Sequence, residues 1–240
     1  MKKIISTLFC VLIFLALCTA VNAKTLRVGY LGYKGFIAPD EDGKFQGYGV
    51  EYLKEIAQYT DFTYEYVYCS WNDSLEMLLT KEIDLVCTAK FTVERGQKYD
   101  FSTQNFGHVQ GVLYTWPENP DLYYNDFLNL DGKKIGFLNG SLNIGIFAEY
   151  AQKRNFSYKT IIYDNDEDMA NALKRHEIDA IATEHMSYHN DLRLIGNYSS
   201  HLYYLMSYKN NDFMDEINDA MNEITTGNIN FEAELYEKYY

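Results

Sequence analysis

Two stretches of this chain repeat one another: LLTKEIDLVCT (78–88) and LKRHEIDAIAT (173–183), with Leu, Glu-Ile-Asp and Thr in register. An earlier pair precedes them, LRVGYLG (26–32) and KKIGFLNG (133–140), each a basic residue, Val or Ile, Gly, an aromatic and Leu. Two echoes in the same order restrict the fold strongly, because a unit that occurs twice in sequence is expected to fold twice. The elements between the echoes agree. VEYLKEIAQY (50–59) puts Val50, Leu53, Ile56 and Ala57 on one helical face, and FTYEYVY (62–68) alternates with the period of a strand. SLEMLLT (74–80) reads as a short helix capped by Asn72 or Asp73, and IDLVC (83–87) as a strand. In the second copy IGIFAEYAQK (144–153) is the helix and YKTIIYD (158–164) the strand. The order β-α-β-α-β, met twice, predicts an α/β fold of two similar lobes with parallel or mixed sheets covered by helices.

The junctions between lobes are also marked. GVLYTWPENPDLY (111–123) holds two of the three prolines and places a crossing after Tyr114. LYYLMSY (202–208) reads as a returning strand, and the remainder as two helices broken at Gly227 that pack on the first lobe. The expected division is 24–113 plus 206–240 for lobe 1 and 114–205 for lobe 2, joined by a two-crossing hinge.

The first 23 residues stand apart. MKK is basic, IISTLFCVLIFLALCTA is apolar, and VNA before Lys24 carries small residues where a signal peptidase reads, so a secretory signal cut after Ala23 is expected. An uncleaved anchor and a lipoprotein signal at Cys18 are the alternatives. Without Lys2 and Lys3 the chain has 19 basic residues against 34 acidic ones, a formal charge of −15. That surface argues against nucleic acid and anionic membranes as partners. Cys69 and Cys87 remain after cleavage; they either pair, as an exported protein allows, or stay as buried thiols. No Cys or His spacing marks a metal or redox site, and no cofactor is implied. The 23 tyrosines read mainly as amphipathic surface and strand residues.

In open parallel sheets the ligand crevice lies beyond the carboxyl ends of the strands. Those ends are Tyr30–Tyr33, Cys69–Trp71, Thr88–Arg95, Gly140–Asn143 and Thr183–Glu184. They gather a cation, an acid, several hydroxyls and a tryptophan, a set suited to a small polar ligand that carries both an anion and a cation.

At these residues the chain resembles a known family. FTVERGQKYDFS is similar to a Thr-x-x-Arg followed by Asp-Phe-Ser, KFQGYGVEYLKEIA to a Gly-Phe-Asp-Val helix start, and SWNDSLEMLLTKEIDLV to a Ser-Trp helix and strand. With DGKKIGFLNGSL opening the second lobe, these motifs resemble the extracytoplasmic solute-binding proteins of family 3, the amino-acid receptors of ABC importers with the type II periplasmic-binding-protein fold. The resemblance implies that Arg95 pairs with a ligand carboxylate through two charge-assisted bonds. It implies that Ser141 and the amide of Leu142 form a second carboxylate contact, as a helix N-terminus suits. It implies Glu184 for the ligand ammonium, Trp71 and Tyr33 as aromatic walls, and Thr88 for backbone contacts. Three positions depart from the pattern: Gly49 stands where a supporting Asp is usual, Lys90 where a hydroxyl residue is usual, and Glu184 where Asp is usual. Lys90 therefore either favours a second acid group on the ligand or disfavours its ammonium.

Plainer readings stand beside each residue. Arg95 could be a solvated charge paired with Glu94 or Asp100, Trp71 a core aromatic, and Ser141 a helix cap. Glu184 could be a surface acid and Lys90 could point to solvent. His185 and His189 are four apart, yet lack a third metal ligand. The expected function is extracytoplasmic binding of a small polar carboxylate, foremost an amino acid, by a monomer that serves the permease of an ABC importer. A ligand-sensing module for a membrane partner is one alternative. A cyclohexadienyl dehydratase-like lyase using Lys90 and Glu184 as acid and base is another. A cell-wall lytic enzyme would need a further catalytic domain.

Overall fold

The computed structural model describes residues 23–33, 35–186 and 191–240. The signal peptide expected over 1–23, with Cys18, lies outside the described residues except for Ala23. The first half runs β1 (Lys24–Tyr30), β2 (Ala38–Pro39), β3 (Phe45–Gln46), α1 (Tyr48–Tyr59), β4 (Phe62–Tyr68), α2 (Trp71–Leu79), β5 (Leu85–Ala89), α3 (Val93–Lys98) and β6 (Tyr99–Phe101). β7 (Gly107–Thr115) leads to the second half: β8 (Lys134–Leu138), α4 (Asn143–Arg154), β9 (Lys159–Tyr163), α5 (Asp166–Lys174) and β10 (Ala180–Glu184). β11 (Arg193–Tyr208) returns, followed by α6 (Met214–Gly227) and α7 (Phe231–Tyr239).

The strands line up as β4-β1-β5-β11-β7-β10-β8-β9, with β6 beside β11. Each half therefore places its second strand outermost and its third innermost, β4-β1-β5 on one side and β9-β8-β10 on the other, all parallel within the half. β7 and β11 lie antiparallel between them and carry the chain across. This is the two-lobed α/β architecture expected from the duplicated pattern.

The echoed residues do the same work in both halves. The Arg27 N–H donates to Asp84 Oδ2 at 2.8 Å while the Asp84 N–H donates to the Arg27 carbonyl at 2.7 Å. In the second half the Lys134 N–H donates to Asp179 Oδ2 at 2.8 Å, and the Asp179 N–H to the Lys134 carbonyl at 2.9 Å. The helix-to-strand turns match too, since Lys81 and His176 both adopt left-handed backbone with φ of 60° and 58°. Gly29 and Gly136 are needed for space: a β-carbon there would lie 2.6 Å from Ile83 Cδ1 and 2.7 Å from Ile178 Cδ1. The Glu-Ile-Asp motif thus fixes the strand entry through Asp and fills the pocket beside Gly through Ile.

Hydrophobic burial completes each lobe. Leu26, Val28, Leu53 and Ile56 share a core with Phe213, Ile217 and Met221, so the C-terminal helices pack on the first lobe. In the second lobe Phe137 and Phe147 form one core, and Met169, Leu173 and Ile178 another.

Three details differ from the sequence reading. The return strand begins at Arg193 rather than 202, because Asn197, Ser199 and Ser200 interrupt the apolar pattern while still pairing with β7. The cap of α2 is Ser70, whose Oγ accepts from the Asp73 N–H, and this brings Trp71 into the helix as its first residue. Tyr48 and Tyr52, both in α1, are core residues rather than surface ones. The Tyr48 hydroxyl donates to the Phe106 carbonyl at 2.8 Å, which satisfies it inside the core. Cys69 and Cys87 are free and buried; burial pushes the Cys69 thiol up to about 11 and Cys87 higher still.

Gly49 also has a physical reason. A β-carbon there would meet Ile37 Cγ1 at 2.8 Å and Phe36 Cζ at 3.2 Å, so the space an acid would need is filled by apolar packing. Gly49→Asp is expected to lower stability by about 1–3 kcal/mol in urea unfolding, through overpacking and a buried carboxylate. An unchanged midpoint would contradict this.

Candidate functional site

A cleft of about 490 Å³, counted with its open mouth, lies between the lobes at the carboxyl ends of the strands. Its wall includes Tyr33, Trp71, Thr88, Lys90, Arg95, Ser141, Leu142 and Glu184. All eight sequence-predicted residues are thus brought together.

Arg95 is positioned by the Thr-x-x-Arg spacing itself. Thr92 caps α3, and its Oγ1 accepts from the Arg95 N–H at 3.1 Å. The guanidinium lies over the Trp71 ring, 4.9 Å from its centroid, and Nη1 donates to the Lys90 carbonyl at 3.1 Å. The acids expected as ordinary partners are taken: Glu94 pairs with Lys98 at 3.4 Å and Asp100 with Lys209 at 2.9 Å. Among the described residues no carboxylate reaches Arg95 as an ion pair. Burial lowers its pKa, with Glu184 the leading charge that opposes the shift. A half-buried cation without a counterion is costly.

Lys90 does not point to solvent. It is 7% exposed, and its ammonium crosses the cleft to Glu184 Oε1 at 2.6 Å while donating to Asn143 Oδ1 at 2.7 Å. Trp71 Nε1 crosses at a second point and donates to the Gly140 carbonyl at 3.3 Å. Gly140 has φ of 69°, and a β-carbon there would run into Asn72 Oδ1, so only glycine lets the lobes approach this closely. The lobes are therefore held together by an ion pair and an indole hydrogen bond.

On the second lobe, Ser141 Oγ accepts from the Asn143 N–H at 3.2 Å, although the N-cap position itself is Leu142. The Leu142 N–H at the start of α4 has no acceptor among the described residues and adds to the positive end of the helix. Thr88 Oγ1 is buried with no hydrogen-bond partner among the described residues. Leu31, Leu138 and Ala182 supply apolar wall.

Two polar lining residues were not singled out in sequence, Asn143 and Thr183. Both lie within the strand-end windows. Asn143 resembled an ordinary residue at a helix start; its signal was its position opposite Lys90, visible only once the lobes are brought together. The His185–His189 pair carries no metal argument. Nδ1 of His185 accepts from the Gln110 N–H at 3.0 Å, and His189 lies outside the described residues. Among the described residues no three His, Cys, Asp or Glu side chains are placed to hold a metal ion, and no helix is long and apolar enough to cross a membrane.

Fold and cleft together define a two-lobed α/β protein with a charged, polar crevice between the lobes. The profile of the bacterial extracellular solute-binding proteins, family 3, matches residues 26–240, and the chain belongs to that family. The L-cystine-binding protein TcyJ of Escherichia coli (strain K12) is 28% identical over 166 residues, covering 68% of this chain and 60% of that protein. The chain thus spans about 60% of the length of the curated relative it matches. Among solved structures, an ancestral arginine-binding protein bound to glutamine superposes with a TM-score of 0.75 at 24% identity, covering 90% of this chain and 97% of that one. The ancestral amino acid-binding protein AncCDT-1, a precursor of cyclohexadienyl dehydratase, does so with a TM-score of 0.73 at 21% identity, covering 90% and 95%. These structural likenesses establish the fold.

Proposed function

We propose that this chain binds a small polar carboxylate, foremost an amino acid or a close relative of one, in the inter-lobe cleft. It does so outside the cytoplasm, as a monomer, and delivers the ligand to the permease of an ABC importer. The lobes are 24–113 with 206–240, and 114–205. The observation that carries the reading is Arg95, a half-buried guanidinium with no ion pair among the described residues, stacked on Trp71 and facing the cleft. Arg95 takes the ligand carboxylate. The Leu142 N–H and Ser141 provide a second contact, and Thr88 Oγ1 a third. Trp71 and Tyr33 cover the ligand, while Lys90 and Glu184 close its far end. The L-cystine-binding relative supports the amino-acid class. Binding requires no bond to be made or broken.

Isothermal calorimetry against amino acids and dicarboxylates tests the reading. One-to-one binding of at least one carboxylate is expected, and silence across the panel would contradict it. The Lys90–Glu184 pair, with a dehydratase precursor among the structural neighbours, favours one second reading, a lyase of the cyclohexadienyl dehydratase type. There the pair would act as acid and base. Turnover of prephenate or arogenate, lost in Glu184→Gln, is the outcome that would establish it.

A further inference from the structure

Among the described residues lining the cleft, three carry formal charge: Lys90, Arg95 and Glu184. Two cations against one carboxylate leave a single positive charge. The nearby imidazoles add nothing to that count. Burial holds His185 and His201 below the ordinary histidine value, and the Lys90 charge pushes His201 further in the same direction. Lys90 is also fixed in place, with the Glu184 carboxylate at 2.6 Å and the Asn143 amide oxygen at 2.7 Å. The acid suited to a ligand ammonium is therefore already occupied by an ammonium that the chain itself supplies.

We propose that the cleft selects its ligand by net charge, taking a carboxylate of net charge −1, and that Lys90 sets this rule. The proposal rests on the small-carboxylate reading and narrows it. A zwitterionic amino acid neutralises Arg95 but brings a second ammonium to Glu184, where Lys90 already sits. Like charges then share one carboxylate in a site shielded from water. A net monoanion avoids this in one of two ways. Its α-substituent is uncharged, as in a hydroxy, keto or N-acyl acid, or it is an amino acid whose second carboxylate meets Lys90. In the latter case the second acid has to be short. Beyond Trp71 and Tyr33 the opening is lined by Asp164, Asp166 and Glu167, which repel a carboxylate extended outward.

The test is calorimetry on pairs that share a skeleton and differ in charge: aspartate with asparagine, glutamate with glutamine, and lactate with alanine. Wild type and Lys90→Met are compared, the variant keeping the volume of the side chain. Wild type is expected to bind the anionic member at least about tenfold more tightly in every pair that binds. Lys90→Met is expected to erase or reverse that preference. Equal or inverted preference in wild type overturns the rule without help from the variant, so a variant that fails to fold does not protect it. A wild-type preference that persists in Lys90→Met overturns the role given to Lys90. If wild type binds only ligands of the wider amino-acid and dicarboxylate panel whose net charge is not −1, the rule falls alone, whereas silence across the whole panel takes the small-carboxylate reading with it.

Discussion

Arg95→Ala is expected to weaken ligand binding by about 30- to 4,000-fold, the range for removing one partner of a hydrogen-bonded charge pair. The effect is large because the ligand carboxylate would then be left in the cleft without its counterion. The stability of the protein itself should move in neither direction by much. Among the described residues the guanidinium makes one hydrogen bond, to the Lys90 carbonyl at 3.1 Å, and one ring contact with Trp71. Removing a half-buried, unpaired cation also relieves a desolvation cost. The expected signature is therefore lost affinity at an unchanged melting temperature. Affinity retained for every ligand of the wild type would show that the anchor lies elsewhere. A melting temperature that falls with affinity would return Arg95 to an ordinary structural role.

The second large effect concerns the ion pair that spans the lobes. Glu184→Ala is expected to cost about 3 kcal/mol, at the low end for breaking a buried pair, because Asn143 Oδ1 still accepts from the stranded ammonium. Replacing both partners together, Lys90→Met with Glu184→Ala, should recover much of that loss, since no uncompensated charge remains. Urea unfolding of the two single variants and the double variant closes a double-mutant cycle. A double variant no more stable than Glu184→Ala would show that the two side chains do not act as a pair.

Much of this architecture was legible because the duplication is written in residues with local jobs. Glu-Ile-Asp after each second helix reads as a strand entry, and in both halves the Asp bonds to the first strand while the Ile fills the space beside its Gly. Arg95 was legible for a similar reason, since Thr92 caps the short helix that holds it. What the sequence hid depends on contacts between distant segments. The fate of Lys90 was open because its partners, Asn143 and Glu184, come from two different elements of the other lobe. The early start of the return strand was masked by polar residues that pair with β7 without following an apolar pattern. The buried tyrosines misled because ring burial with a satisfied hydroxyl leaves the same sequence trace as an amphipathic surface.

Trp71 offers the most direct test of where the ligand sits. The chain has two tryptophans, and Trp116, stacked on His176 with centroids 4.3 Å apart, lies away from the cleft lining. Excited at the red edge, where tyrosine does not absorb, Trp116→Phe emits from Trp71 alone, beneath the Arg95 guanidinium. A ligand that binds by calorimetry should change this emission saturably, with the same affinity, and the change should vanish in Trp116→Phe/Arg95→Ala. Binding that leaves Trp71 emission unmoved would place the ligand outside the cleft.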